Sequence, residues 1–129
     1  FMDSIPVVLE IDAQQNSKYS ILFNEKKLFE DITSDVKVNK FDVHAIKHKF
    51  NSITIKGNVV VNRLELDGID TRYFIHHGFT SNKNRGNADS IFVKFYFYTP
   101  IWKWYIDWIN NDNSSFRQIS KDHSGFIPL

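Results

Sequence analysis

The chain has 129 residues, a length typical of one domain, and its 16 basic and 15 acidic side chains leave a formal net charge of +1. That balance excludes a whole-molecule field able to draw the protein onto nucleic acid or an anionic membrane, and the absence of cysteine excludes disulfides and thiolate zinc sites. Because no apolar run is long enough to cross a bilayer and the first residues lack a signal-peptide pattern, we expect a soluble protein folded as one domain over residues 2–129.

The predicted strands begin near the N-terminus, where apolar and polar side chains alternate with the period of a strand that buries one face. Residues 7–13 (VVLEIDA) and 18–23 (KYSILF) both follow this pattern. The polar residues 24–27 predict a hairpin turn into residues 27–32 (KLFEDI). We therefore expect the second and third strands to pair antiparallel.

A change of phase interrupts the alternation in residues 35–45 (DVKVNKFDVHA), between Val38 and Phe41. It predicts either a β-bulge near Asn39 and Lys40 or the end of a strand at that point. Three more alternating segments predict strands: 51–57 (NSITIKG), 59–68 (VVVNRLELDG) and 90–98 (SIFVKFYFY). This succession indicates an all-β fold, an antiparallel jelly-roll-like β-sandwich, with closure into a barrel left open.

One short helix is predicted after the strands, in residues 99–112 (TPIWKWYIDWINND), where Thr99 can cap and Pro100 suits the first position. Its expected core stripe contains Ile101, Tyr105, Trp108 and Ile109. Trp104 falls off this stripe, which predicts an exposed side chain. A strand with all three tryptophans on one face remains the alternative, because short apolar runs fit both periods.

Three segments in chain order share a pattern with a known family: 18–30 (KYSILFNEKKLFE), 49–58 (KFNSITIKGN) and 59–68 (VVVNRLELDG). The first is a strand, an asparagine turn and a strand. In the second an asparagine leads an alternating I-x-I strand, and the third ends in an acidic residue and glycine. Together they resemble the jelly-roll carbohydrate-binding modules of the calcium-dependent xylan-binding type, over residues 7–70. The resemblance implies a sandwich fold and a carbohydrate ligand.

The calcium site of those modules is not implied for this chain. The modules hold calcium between acidic side chains in a loop that is here only Lys56-Gly57-Asn58, without a carboxylate. We therefore expect no cofactor, with calcium dependence left to experiment. Residues 67–78 (DGIDTRYFIHHG) and 99–109 (TPIWKWYIDWI) resemble small uncharacterised proteins of marine bacteriophages instead. This second resemblance implies a phage-encoded protein made in the host cytoplasm, and it leaves virion association open.

Residues 67–78 gather acids, an arginine and two histidines within a short stretch. Because neighbouring residues of a strand face opposite ways, the adjacent histidines are poorly placed to bind one metal ion together. The first two residues, Asp-Gly, fit a turn. That turn can present Asp70, Arg72 and His76 at an edge of the sandwich as the rim of a ligand site, although most polar turns are only turns.

The aromatic side chains give a second set of candidate ligand contacts. Trp102 and Trp104 lie in the helical segment, and Tyr96 and Tyr98 lie on the second face of the strand before it. Aromatic faces stack on pyranose rings, so these four side chains predict a sugar-binding platform. The alternative is that the tryptophans are core or oligomer contacts.

The function predicted from these features is a non-catalytic binding module for a glycan or a glycosylated surface. Enzymatic activity is not expected, because the sequence has no nucleophile elbow, phosphate loop or HExxH motif. Nucleic acid is not expected as a partner, since the net charge is near zero and no recognition motif is present. The alternative is a phage or viral structural protein that associates with copies of itself or with a virion protein and has no small-molecule ligand.

Overall fold

The computed structural model describes residues 2–13, 15–71, 78–80 and 92–110, and for residues 78–80 and 108–110 it describes the backbone alone. The described residues form nine strands and one helix. The strands are β1 (Met2–Asp12), β2 (Ser17–Phe23), β3 (Lys26–Thr33), β4 (Lys37–Ile46), β5 (Phe50–Gly57), β6 (Val60–Leu66), β7 (Ile69–Asp70), β8 (Gly78–Thr80) and β9 (Phe92–Tyr98), and the helix is α1 (Ile101–Asn110).

The strands make two antiparallel sheets, one of four strands in the order β4-β1-β6-β7 and one of five strands in the order β3-β2-β5-β9-β8. Strands β2 and β3 pair as the predicted hairpin. The all-β sandwich with one short helix near the C-terminus is therefore confirmed. Residues 101–110 are helical, so the strand alternative for this segment is wrong.

The core lies between the sheets and consists of the alternate apolar side chains that the sequence pattern predicts. In β1, Val7, Leu9 and Ile11 are buried, and in β9, Phe95 and Phe97 are buried. Each such side chain contributes about 1.5 to 3 kcal/mol when it leaves water. Because a slip of one residue would turn every one of these side chains to the solvent, their burial fixes the register of the strands.

The bulge predicted in β4 is wrong. This strand pairs with β1 from Lys37 to Ile46 without a break. The apparent change of phase arises because Asn39 takes an inward position while Val38 is exposed. The Asn39 side-chain amide donates to the Tyr19 hydroxyl of the opposite sheet at 3.1 Å. A polar residue that finds a partner inside the sandwich thus breaks the apolar pattern without breaking the strand.

Bulges occur instead in two other strands. The register between β1 and β6 shifts after Glu10, which leaves Asn62 as the extra residue. The register between β2 and β3 shifts after Ile21, which leaves Leu28 as the extra residue. Strand β3 is an edge of its sheet, and a bulge twists such an edge away from pairing with another chain.

Two tight turns use residues with positive φ. Asn24 (49°) and Glu25 (69°) join β2 to β3, and Asp67 (52°) and Gly68 (80°) join β6 to β7. Two consecutive positive φ values define a type I′ turn, whose twist matches that of the strands it joins. Both turns were predicted from their sequences, and both are confirmed.

Gly57 ends β5 where its backbone lies against β2. Its φ is +136°, and a Cβ atom at this position would lie 2.5 Å from the Lys18 carbonyl oxygen. We predict that Gly57→Ala destabilises the fold by about 1 to 3 kcal/mol, measured by urea denaturation, because the backbone must move or remain strained. The control is Gly68→Asn, since a Cβ there meets no atom within 4 Å and asparagine tolerates its φ of +80°. A Gly57→Ala variant as stable as the wild type would contradict this account.

Helix α1 follows directly from the end of β9. The Thr99 hydroxyl was expected to cap the helix, but it donates instead to the Ile46 carbonyl at 2.9 Å and so ties the start of the helix to the end of β4. Within the part of the chain that the structure describes, no helix has the length and apolar character needed to cross a membrane.

Candidate functional site

The structure separates the predicted site residues between the two sheets. Asp70 lies on β7, at the predicted edge of the four-stranded sheet. Tyr96 and Tyr98 lie half-buried on the outer face of β9, in the five-stranded sheet. The two other residues of the predicted rim, Arg72 and His76, lie outside the described residues. Asp70 and the aromatic residues therefore do not share one sheet.

The exposure predicted for Trp104 is wrong, because its side chain is only 1% exposed. Its ring meets the Phe50 ring edge to face at 6.1 Å between centroids. Phe50 is on the outer face of β5, since the core residues Ile53 and Ile55 occupy the alternate positions. Helix α1 thus packs Trp104 against the outside of the five-stranded sheet, a contact that periodicity within the helix does not reveal.

Trp102, another predicted ligand contact, packs on a neighbouring residue of the helix. Trp102 is 47% exposed, and its ring meets Tyr105 edge to face at 6.0 Å. Ile101 is buried and Tyr105 is half-buried against the core, as the predicted stripe requires. The side chains of Trp108 and Ile109, also assigned to that stripe, lie outside the described part of the helix.

A pocket of about 490 Å³ lies where the β4–β5 turn, the outer face of the five-stranded sheet and α1 meet. We call it the aromatic pocket, and it is lined by His48, Phe50, Tyr98, Pro100, Lys103, Trp104 and Asp107. Phe50 and Tyr98 are directly opposite each other in register, with their rings edge to face at 5.2 Å. The volume falls within the range of roughly 300 to 1,000 Å³ found for small-molecule sites.

Polar groups stand at the rim of this aromatic pocket. His48 and Lys103 are exposed, and the Lys103 ammonium donates to the Asp107 carboxylate at 2.6 Å along the helix. The walls are therefore aromatic while the rim carries an imidazole, an ammonium and a carboxylate. Such an arrangement suits a ligand with an apolar face and hydroxyl groups around its edge.

The turn that presents His48 is fixed by a buried amide. Asn51 is 1% exposed, and its side-chain oxygen accepts from the Ile46 amide (2.9 Å) and from the Asn24 side chain (2.9 Å). Its side-chain nitrogen donates to the Ile46 and Lys49 carbonyls, both at 3.0 Å. All four hydrogen-bonding positions of the amide are used.

A second link holds the same turn to the helix start. The His48 amide donates to the Thr99 carbonyl at 2.8 Å, and His48 has a φ of +61°. Because non-glycine residues rarely adopt positive φ, the backbone here is held by its surroundings. The imidazole is thus carried on a rigid turn, which is the condition for a preorganised contact.

Tyr96, one of the predicted stacking residues, contacts a cation. The Lys94 ammonium lies 5.3 Å from the centre of the Tyr96 ring and pairs with Glu25. Partial burial lowers the pKa of Lys94, but its bonds to Glu25 and Tyr96 outweigh that effect and leave the pKa above its ordinary value. The Lys94 ammonium lies over one face of the Tyr96 ring, so Tyr98 is the better-placed stacking residue.

Sequence reasoning missed Phe50 and His48 as members of the site. Phe50 reads as an ordinary strand residue until the β5–β9 register places it opposite Tyr98. His48 lies between two lysines in a polar turn, and its position beside the helix depends on the fold. Among the described residues, no group of three or more histidine and carboxylate side chains is arranged to hold a metal ion.

Comparisons with models of protein families, with curated proteins and with solved structures find no match for this chain.

Proposed function

We propose that the protein is a non-catalytic carbohydrate-binding module and that the aromatic pocket receives the sugar. The observation that carries the proposal is the pocket itself, with aromatic walls and a rim that holds His48, Lys103 and Asp107. Pyranose rings offer C–H groups to aromatic faces and hydroxyl groups to polar rims, so both kinds of contact have a counterpart. The partner is a glycan or a glycosylated surface.

The sequence resemblances support the same proposal and extend it. The strand and turn pattern of residues 7–70 resembles carbohydrate-binding modules, and the later segments resemble phage proteins. We therefore propose a phage-encoded module that recognises a glycan of the host or of its surroundings. The β5–β6 connection carries no carboxylate, so the proposed binding does not depend on calcium there.

A glycan array probed with and without calcium tests ligand class and metal dependence together. We expect binding to a subset of neutral glycans that survives removal of calcium by a chelator. An array with no bound glycan under either condition would overturn the proposal.

Two substitutions test the aromatic pocket as the site. Tyr98→Leu keeps apolar volume but removes the aromatic face, and we expect a loss of glycan affinity of about tenfold, or about 1.4 kcal/mol. His48→Asn keeps a residue that tolerates positive φ and removes the imidazole, and it should also weaken binding.

Matched controls separate these effects from general damage. Tyr96→Leu changes the same residue type on the same face of β9 outside the pocket lining, and His44→Asn changes an exposed histidine on β4. Both should bind as the wild type does in isothermal titration calorimetry. Equal losses in the control and pocket variants would show that the pocket is not the site.

A structural role is the second candidate, favoured by the outer face of α1. Trp102 and Ile106 are 47% and 49% exposed and lie one helical turn apart. Large contiguous apolar patches mark protein interfaces, and this pair would form part of such a patch. In this case light scattering should show a stable oligomer that Trp102→Lys dissociates, with no response to glycans.

A further inference from the structure

A second cavity, of about 700 Å³, lies on the outer face of the five-stranded sheet, where β2, β3 and the end of β5 come together. We call it the lysine groove, and its polar lining includes Lys18, Ser20, Lys27, Glu30, Lys56 and Asn58. In the strand register Ser20 stands between Glu30 on one side and Lys56 on the other. Ser20, Glu30 and Lys56 therefore lie on paired strands, which hold side chains more precisely than loops do.

The charge of the lysine groove is positive and only partly compensated. Lys18 and Lys27 each lie 3.2 Å from the Glu30 carboxylate, and the Ser20 hydroxyl donates to the same carboxylate at 3.0 Å. Lys56 is exposed and makes no ion pair within the described part of the chain. Three ammonium groups thus face a single carboxylate, in a protein whose total formal charge is only +1.

The polar side chains between the lysines of the groove can form hydrogen bonds with the hydroxyl groups of a ligand. Ser20 and Asn58 can donate and accept, and Glu30 can accept. Hydrogen bonds from Lys27, Ser20 and Lys18 hold the pKa of Glu30 below its ordinary value, so it is an ionised acceptor at neutral pH. The groove therefore contains ammonium groups that can bind an anionic group of a ligand. Beside them it contains hydrogen-bond donors and acceptors that can bind neutral hydroxyl groups.

Two features disfavour nucleic acid as the occupant. None of the described residues that line the groove is aromatic, so the groove lining itself gives bases no described side chain on which to stack. The Glu30 carboxylate, bonded to Ser20 on the neighbouring strand, would repel a phosphate backbone laid along the groove. A sugar polymer needs no stacking surface for bases, and it carries ring hydroxyl groups that can donate to the Glu30 carboxylate while its anionic groups lie beside the lysines.

We propose that the lysine groove binds an acidic polysaccharide, with Lys56 and Lys27 holding a carboxylate or sulfate group and Ser20, Glu30 and Asn58 holding ring hydroxyls. The inference rests on the proposed function, since the ligand is again a glycan, but it assigns a site separate from the aromatic pocket. The two sites are at opposite ends of the outer face of β5, with Phe50 at one end and Lys56 at the other.

The test is calorimetric titration of the full chain at low salt with four probes: polygalacturonate, dextran sulfate, uncharged dextran and single-stranded DNA. We expect binding of one or both acidic polysaccharides, weakened by added salt. Polygalacturonate identifies the anion as a carboxylate, and dextran sulfate identifies it as a sulfate ester. Failure of both acidic polysaccharides to bind, or tighter binding of DNA than of either, would overturn the inference.

Lys56→Gln and Lys27→Gln should each reduce that binding about tenfold or more with an unchanged unfolding midpoint. Lys40→Gln is the matched control, because it removes the same charge from an exposed position on β4, in the other sheet. An equal loss in the Lys40→Gln variant would mean that only net charge matters, and it would also overturn the inference.

The outcomes for the two sites are separable. In one outcome, Tyr98→Leu loses binding of neutral glycans and the wild type binds no acidic polysaccharide. This result would support the aromatic pocket as a site and reject the lysine groove. In the other outcome, binding of acidic polysaccharide depends on Lys56, while Tyr98→Leu leaves the binding of neutral glycans unchanged. This result would support the lysine groove and reject the aromatic pocket.

Discussion

Replacing Trp104 with alanine is expected to destabilise the protein by about 3 to 5 kcal/mol. The indole is 1% exposed and packs against Phe50 and the outer side of the five-stranded sheet. Its removal leaves a cavity between the helix and the sheet that cannot close without moving α1. Because stabilities of small domains are about 5 to 15 kcal/mol, such a loss takes a large share of the total.

Chemical denaturation followed by circular dichroism measures this loss. Trp102→Ala is a close control, since it deletes the same side chain from the same helix at a position that is 47% exposed. We expect that control to cost less than about 1 kcal/mol. Equal stabilities of the Trp104→Ala and Trp102→Ala variants would contradict the packing described for the helix.

Asn51→Ala is expected to cost about 3 kcal/mol or more, for a different physical reason. The buried amide satisfies both the amide and the carbonyl of Ile46 and the carbonyl of Lys49. Alanine removes these hydrogen bonds at a position where the Asn51 side chain is 1% exposed, and each buried polar group left unsatisfied costs about 1 to 3 kcal/mol. The same change removes an acceptor from Asn24, whose own side chain accepts from the Ser52 amide at 2.8 Å.

Urea denaturation and amide hydrogen exchange together test the role of Asn51. Exchange should accelerate at the Ile46 and Ser52 amides, while amides in the centre of β1 change only with global stability. Asn62→Ala removes an exposed asparagine at the β6 bulge and should change stability by less than about 0.5 kcal/mol. A stable Asn51→Ala variant with unchanged exchange would show that the turn is held by other contacts.

The strands could be predicted from the sequence because their signal is local. Alternation in residues 7–13 and 18–23 depends only on which face of a strand is buried, and it identifies Leu9 and Ile21 as core residues correctly. The Asp67-Gly68 turn is similarly determined by its own two residues. The structure of these elements is therefore determined by residues that are close together in the sequence.

The wrong predictions concern residues whose positions depend on a contact with a residue far away in the sequence. Asn39 looked like an interruption of β4 because its partner, Tyr19, is on another sheet. Trp104 looked peripheral because its packing surface is Phe50, more than fifty positions away in the chain. The local periodicity of the sequence cannot reveal the contact of Asn39 with Tyr19 or that of Trp104 with Phe50, because each depends on how the sheets and the helix pack.

The candidate site could be predicted only in part for the same reason. Aromatic content pointed to the segment that contains Tyr98 and Trp104, which both line the aromatic pocket. The opposite wall and the rim come from His48 and Phe50, which the pairing of β5 with β9 and the tight β4–β5 turn bring to the same place. A pocket whose walls come from paired strands can be recognised only when the register of those strands is known.

The most direct test of carbohydrate binding at the aromatic pocket is backbone amide chemical-shift mapping by NMR during titration with the glycan that binds best on the array. We expect saturable shifts at the pocket-lining amides of His48, Phe50, Tyr98 and Lys103, and only small shifts on the four-stranded sheet. Shifts confined to other surfaces, or no saturable shift with any glycan, would contradict carbohydrate binding at this pocket.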